Sequence, residues 1–135
     1  MDIKERLQGY KFTKIRLEHL RLEIEKVKAE YEGINSALAA EGGKGTNKIA
    51  NKTEQEAIKK LEVLQKLERE AAACEIEIKQ IDNAMQLLSD REQSIIQLAY
   101  FENKSLYNIS HVLEYAYRTV LRTHSAAIDK LNRIL

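Results

Sequence analysis

Two arginines near the end of the sequence, Arg118 and Arg122, have the spacing of a nucleic-acid contact. Because they are four residues apart, a helix places them one turn apart on a single face. A guanidinium held in this way can fork onto a guanine edge or grip a phosphate. Neighbouring side chains can touch a base, a thymine methyl or a phosphate. The candidate DNA-binding residues are therefore Tyr117, Arg118, Thr119, Leu121, Arg122 and His124.

Each of these residues also has an ordinary structural interpretation. Arg118 and Arg122 can simply solvate an exposed helix face. Tyr117 can pack against Tyr115, and His124 can belong to the helix surface or to an interface. Which interpretation holds depends on the elements that position these side chains.

Capping residues and apolar spacing together predict three short helices from Leu88 onward. Ser89 and Glu92 have the spacing of a capping box, in which each side chain binds the backbone amide of the other residue. Ser105 can cap the second helix, and the third runs from Tyr117. Apolar residues at helical spacing are expected to face inward. They are Leu106, Ile109, Val112 and Leu113 in the second helix, and Val120, Ala127, Ile128, Leu131 and Leu135 in the third; the first helix carries the apolar residues Ile95, Ile96, Leu98, Ala99 and Tyr100.

This stretch resembles region 4 of bacterial sigma factors, the domain that recognises a promoter element. The resemblance rests on L-S-D-R-E-x-x-I-I-x-L-x-Y, then S-L-x-x-I-S-x-x-L, then V and A-I-x-K-L. The whole chain also resembles phage and prophage regulators of the autolysin-regulatory (ArpU-like) type, which place a glycine-interrupted helical hairpin before such a module. Arg118, Val120, Arg122 and His124 match the R-x-V-x-R-x-H core of that group. The resemblance implies that the third helix is a recognition helix that enters the major groove.

Three positions depart from the sigma pattern. Glu114 stands where the turn usually holds glycine, which costs on the order of 1 kcal/mol if the backbone there has a positive φ. Ala116 stands where sigma factors place a capping serine, a loss of roughly 1 kcal/mol. Leu121 stands where they commonly carry lysine. We therefore expect weaker DNA binding than a true sigma region 4 gives, with room for contacts to RNA polymerase or to the protein itself.

The first part of the chain predicts two long helices with apolar seams. A seven-residue repeat sustained over this length is typical of a left-handed coiled coil. Arg6 and Thr13 interrupt the first seam, near the N-terminus where fraying costs least, and Lys60 interrupts the second. The first seam comprises Ile3, Tyr10, Leu17, Leu20, Ile24, Val27, Tyr31, Ile34 and Leu38; the second comprises Ala57, Leu64, Leu67, Ala71, Cys74, Ile78, Ile81, Met85 and Leu88. Cys74 is thus expected to be a small buried thiol.

The glycine-rich run EGGKGTNKIANK separates the seams and predicts a turn at about residues 41–52. Gly42-Gly43-Lys44-Gly45-Thr46 lacks the strand and the spacing of a phosphate-binding loop, so we expect a connection. The predicted fold is all-α. Residues 1–88 form a long antiparallel two-helix coiled-coil hairpin, and residues 89–135 form a three-helix, sigma region 4-like helix-turn-helix module. Folding about the loop places Tyr10 near Ile81, Leu17 near Cys74 and Ile24 near Leu67.

Composition favours long solvated helices in a reducing compartment. Of the 135 residues 44% are hydrophobic and 32% charged, with no proline, one cysteine and a net charge of +1. Residues 1–41 and 42–88 each carry eight basic and eight acidic side chains, as coiled-coil flanks do. The sequence offers neither a membrane span nor a secretion signal, so we expect a cytoplasmic protein.

The residues predict a binding protein and not an enzyme. There is no nucleophile–base pair, no paired carboxylate site and no cofactor fingerprint, and His19 and His111 lack partners at metal-ligand spacing. The leading hypothesis is a phage-type transcriptional regulator. Its expected partners are double-stranded DNA, RNA polymerase as a further candidate, and a second copy bound through the hairpin. The alternatives are a DNA-packaging protein like the terminase small subunit, and a coiled-coil adaptor with a module that does not bind DNA.

Overall fold

The predicted all-helical fold is confirmed in a computed structural model, which describes residues 2–41 and 47–135, with side chains at 2–37 and 52–135. Every regular element in these ranges is a helix. The elements are α1 (Ile3–Gln8), α2 (Tyr10–Glu41), α3 (Asn47–Met85), α4 (Asp90–Ile96), a π-helical turn (Gln97–Phe101), α5 (Leu106–Leu113) and α6 (Tyr117–Ile134). Within the described ranges, no helix carries an apolar stretch long enough to cross a membrane.

The predicted first helix is divided at Gly9, although the backbone hydrogen bonding continues through it. Gly9 keeps helical angles, with φ -79° and ψ -8°. Its amide donates to the Glu5 carbonyl at 2.9 Å, and its carbonyl accepts from the Thr13 amide at 2.9 Å. Glycine at this position weakens the helix without ending it.

The connection between the long helices is shorter than the predicted turn. Residues 47–52 are helical, because lysine and alanine in this stretch favour the helix and the three glycines all precede it. The glycine-rich positions 42–46, including the phosphate-loop interpretation, lie outside the described residues.

The chain divides into two compact units. The terminal unit consists of residues 1–14 and 75–135, and the middle unit of residues 15–74. The boundary predicted at residues 88–89 lies three residues after the last residue of α3, Met85, and differs from the division into compact units. The first turn of α2 and the last turns of α3 belong to the same unit as the short helices.

In the middle unit, two ion pairs connect α2 with α3, and several residues of the predicted seams are buried. Buried seam residues here are Leu17, Leu20, Val27, Ala57, Leu64, Ala71 and Cys74. Arg16 pairs with Glu70 at 3.6 Å, and Lys60 pairs with Glu30. Arg16 precedes Glu30 in α2, whereas their partners Glu70 and Lys60 follow the opposite order in α3. The two helices therefore run antiparallel at these contacts.

The core of the terminal unit lies between the short helices. Ile95, Ile109 and Val120 come from α4, α5 and α6 and are fully buried against one another. On α6 the predicted inward residues Val120, Ala127, Ile128 and Leu131 are buried. The prediction was wrong for Val112, which is 52% exposed. Val112 precedes the inward-facing Leu113 by one position, and adjacent helical residues point about 100° apart.

The N-terminal residues pack firmly into the terminal unit. Leu7 is fully buried, and the Tyr10 ring stacks on Phe101 with 4.4 Å between centroids. The Tyr10 hydroxyl donates to Asp82, beside the predicted neighbour Ile81. Burial, together with the Asp82 carboxylate, raises the pKa of Tyr10 to about 12.

Arg6 interrupts the apolar seam because it is an interaction site and not a frayed end. Its guanidinium donates to both carboxylate oxygens of Glu77, at 2.8 and 2.9 Å. It also donates to the Leu135 carbonyl at 3.2 Å. The bidentate pair binds α1 to α3, and the carbonyl contact binds α1 to the end of α6.

Candidate nucleic-acid interface

The exposed surface at the start of α6 carries two unpaired guanidinium groups. Arg118 and Arg122 are both exposed and lie opposite the stripe of α6 that packs on α4 and α5. Neither arginine forms an ion pair or hydrogen bond with another described residue. Residues 117–135 carry four basic side chains against the single acid Asp129, so this segment has a positive net charge. The arrangement suits contact with an anion or with a hydrogen-bond acceptor on a partner.

Packing and an ion pair between an exposed lysine and a buried carboxylate hold α6 in place. Val120 is fully buried against Ile95 and Ile109. Further along the helix, the Lys130 ammonium donates to Oε1 of Glu92 at 2.7 Å. The contact joins α6 to the first turn of α4.

Glu92 also completes the predicted capping box of α4, which is confirmed. Its Oε1 accepts from the Ser89 amide at 3.0 Å, and Ser89 Oγ accepts from the Glu92 amide at 3.3 Å. Burial alone raises the pKa of this carboxyl, but the hydrogen bonds from Lys130 and Ser89 outweigh it and leave the pKa lowered. Glu92 therefore remains a carboxylate that ties the start of α4 to α6.

The turn that leads into α6 has the positive φ at which a residue other than glycine is strained. Glu114 has φ 57° and ψ 38°, the left-handed conformation in which glycine is preferred. Ala116 occupies the N-cap of α6 and provides no side-chain hydrogen bond. Tyr115 between them is held by the Arg91 guanidinium, 4.7 Å from its ring centroid.

The structure brings together most of the predicted contact residues. Tyr117 is 45% exposed and Leu121 is 38% exposed, on the side of α6 next to the two arginines. Thr119 is half-buried. Tyr117 contacts Tyr107 edge to face, with 5.7 Å between centroids, instead of Tyr115.

His124 lies on a different side of α6 from the arginines. Its Nε2 is 2.8 Å from the Tyr100 hydroxyl, and the two rings stack with centroids 5.7 Å apart. Burial, followed by the positive charge of Lys4, lowers the pKa of His124. A half-buried neutral imidazole with a protein partner is a packing residue, and we leave it out of the candidate surface.

Two aromatic residues of α5 extend this surface and were missed from the sequence. Tyr107 is 61% exposed and meets His111 edge to face at 4.7 Å between centroids. With Tyr117 they form an aromatic cluster beside Arg118. Their spacing of four residues was the available signal, because aromatic residues one helical turn apart share a face.

Comparison with known proteins places the chain in a family by sequence. No curated protein and no solved structure matches it. One family matches residues 7–133, from α1 to the end of α6. The chain belongs to that family, which is described as "Protein of unknown function (DUF722)".

Proposed function

We propose that this protein is a DNA-binding transcriptional regulator whose α5–α6 pair acts as a helix-turn-helix. In this proposal α6 is the recognition helix, and its first two turns enter the major groove. The long helices form a hairpin that links copies of the protein or docks RNA polymerase.

The unpaired guanidinium pair, Arg118 and Arg122, is the observation that carries the proposal. An exposed ion pair would stabilise the fold by only about 0–1 kcal/mol, so the two guanidinium groups remain free for a partner at little cost. Here two of them lie one turn apart at the start of a helix whose opposite face is fully packed. The N-terminal part of a recognition helix is the part that reaches base edges. The resemblance to sigma region 4 concerns the same two helices.

The local geometry of the turn before α6 supports a low DNA affinity for a single copy of the protein. The αL conformation of Glu114 and the empty cap at Ala116 each lower the stability of the turn before α6. We therefore propose that two copies acting together supply the working affinity.

Exposed apolar side chains in the middle unit support such pairing. Ile15 is 58% exposed and Leu22 is 65% exposed. Their spacing of seven residues puts both on one side of α2, away from the buried Leu17 and Leu20. Light scattering over a range of concentrations should show self-association that Leu22→Glu weakens. A monomer at every concentration would contradict this part of the proposal.

DNA binding is tested by fluorescence anisotropy with labelled duplexes over a salt series. The logarithm of the affinity should fall linearly with the logarithm of salt concentration, with a slope of about -0.9 for each phosphate contacted. Arg118→Ala combined with Arg122→Ala should weaken binding by tenfold or more at low salt. Each lost arginine contact is worth roughly 1–3 kcal/mol at a base edge.

Arg21→Ala is the matched control, because Arg21 is also exposed on a helix and unpaired among the described residues, but belongs to the middle unit. It should bind DNA like the natural chain. Equal affinities for the natural chain and the double variant would overturn the assignment of this surface. Absence of binding to any duplex at low salt would overturn the proposed function itself.

A further inference from the structure

Side chains at the start of α6 form two adjacent rows of different chemistry. The arginine row consists of Arg118 and Arg122, and the apolar row consists of Tyr117 and Leu121. In each row the members are one helical turn apart, about 5.4 Å along the axis. The two rows therefore present a guanidinium and an apolar group side by side, twice over.

The apolar row is exposed without serving the core. Tyr117 and Leu121 are 45% and 38% exposed, whereas Val120 between them is fully buried. The edge-to-face contact with Tyr107 fixes the Tyr117 ring at the surface and does not cover it. The side chains of Tyr117 and Leu121 thus leave apolar surface in contact with water. A partner would cover this surface with an apolar group and would offer the neighbouring arginines a hydrogen-bond acceptor.

In the major groove, only some base pairs present an apolar group or a pair of hydrogen-bond acceptors. Guanine presents N7 and O6 as acceptors for arginine, and thymine presents a C5-methyl group for apolar side chains. Consecutive base pairs are about 3.4 Å apart, so one helical turn of α6 spans between one and two of them. Each guanidinium and its apolar neighbour can then meet a guanine and a thymine in adjacent base pairs.

We propose that the apolar row reads thymine methyl groups, so that the target of this protein contains thymine next to guanine. This inference rests on the proposed DNA-binding function and adds the class of base that it selects. Within the apolar row, Leu121 is the main specificity-determining residue, because its position along the helix axis falls between those of the two arginines. Tyr117 contributes at the edge of the site, where Tyr107 holds its ring.

The test begins with selection of the best-bound duplex by the full-length protein from a randomised pool. The selected duplex should contain guanine and thymine in adjacent pairs. Replacing each thymine by deoxyuridine removes only the methyl group and keeps base pairing. At a contacted thymine, binding by the natural chain should weaken about fourfold, the value of one buried methyl-sized group.

The same replacement should have no effect on the Leu121→Ala variant at the thymine that Leu121 contacts. Val112→Ala is the matched control, since Val112 is an exposed apolar residue on α5, and this variant should remain sensitive to deoxyuridine. The comparison separates a methyl contact from an effect of deoxyuridine on the shape of the duplex, which both variants would feel.

Two outcomes would overturn the inference and leave DNA binding intact. One is a selected duplex without thymine that binds with a steep salt dependence. The other is an equal deoxyuridine effect in the natural chain and in Leu121→Ala. If no duplex is selected at low salt, the proposed function fails and this inference fails with it.

Discussion

The hydroxyl of Tyr100 lies 2.8 Å from Nε2 of His124, and their rings are stacked. Tyr100 belongs to the π-helical turn that follows α4, and His124 lies in the middle of α6. The contact fixes the rotation of α6 about its axis. It therefore helps to decide which residues α6 presents to solvent.

Protonation of His124 should destabilise the fold. Because burial and Lys4 lower its pKa, the unfolded chain binds this proton more tightly than the folded chain. Stability is therefore complete above the ordinary histidine pKa of about 6.5 and falls as pH drops below it. Urea unfolding above and below this pH should show a smaller pH effect in His124→Gln. An identical pH dependence in both proteins would contradict the assignment.

Removing the partner of Glu92 should destabilise the terminal unit. In Lys130→Met the Glu92 carboxylate, whose side chain is only 7% exposed, loses a charge-assisted hydrogen bond. The exposed half of the lysine moderates the cost, so we expect a loss of about 1–2 kcal/mol in the free energy of unfolding. Arg133→Met on the same helix is the control and should change stability by less than about 0.5 kcal/mol. Equal effects of the two substitutions would show that the ion pair contributes nothing.

Glycine should be better than glutamate at the turn before α6. Glu114 has φ 57°, a conformation that costs a residue with a side chain roughly 1–2 kcal/mol. Replacing Glu114 by glycine removes this strain, but the greater freedom of glycine in the unfolded chain offsets part of the stability gained. Glu114→Gly should thus raise the free energy of unfolding by about 0.5–1 kcal/mol. Glu114→Ala keeps the strain, so it should gain nothing by the same measurement.

A serine at the start of α6 should restore the missing cap. The Ala116 backbone has φ -59° and ψ 138°, the extended geometry in which a serine hydroxyl accepts from an amide of the first turn. Ala116→Ser should add about 1 kcal/mol to the free energy of unfolding, and Ala116→Val should not. If the proposed recognition helix is limited by fraying at this end, DNA affinity should rise with stability in Ala116→Ser. A gain in stability without a gain in affinity would separate the two.

Local signals in the sequence predicted the short helices well. Ser89 and Glu92 identify the capping box from spacing alone, and Ser105 caps α5 by accepting from the Asn108 amide at 3.1 Å. The core residues Ile95, Ile109 and Val120 follow from helical periodicity. These features depend on residues close together in the chain, where one-dimensional patterns are reliable.

Contacts between distant segments could not be predicted in this way. Arg6 was taken for a defect in an apolar seam, yet it binds Glu77 and the Leu135 carbonyl. The contact of His124 with Tyr100 was also missed, because Tyr100 lies in a π-helical turn. A π-helical turn changes the angular position of the residues that follow it, and apolar periodicity does not reveal this change.

Selectivity for one DNA sequence over its scrambled counterpart tests the central claim most directly. The measurement is the ratio of affinities for a selected duplex and for a scrambled duplex of the same composition, in the natural chain and in Arg118→Ala with Arg122→Ala. Our account predicts a ratio of roughly tenfold or more per arginine in the natural chain. In the double variant it predicts only the few-fold preference that the thymine methyl contacts of Leu121 and Tyr117 supply. An unchanged ratio after the loss of both arginines would contradict it.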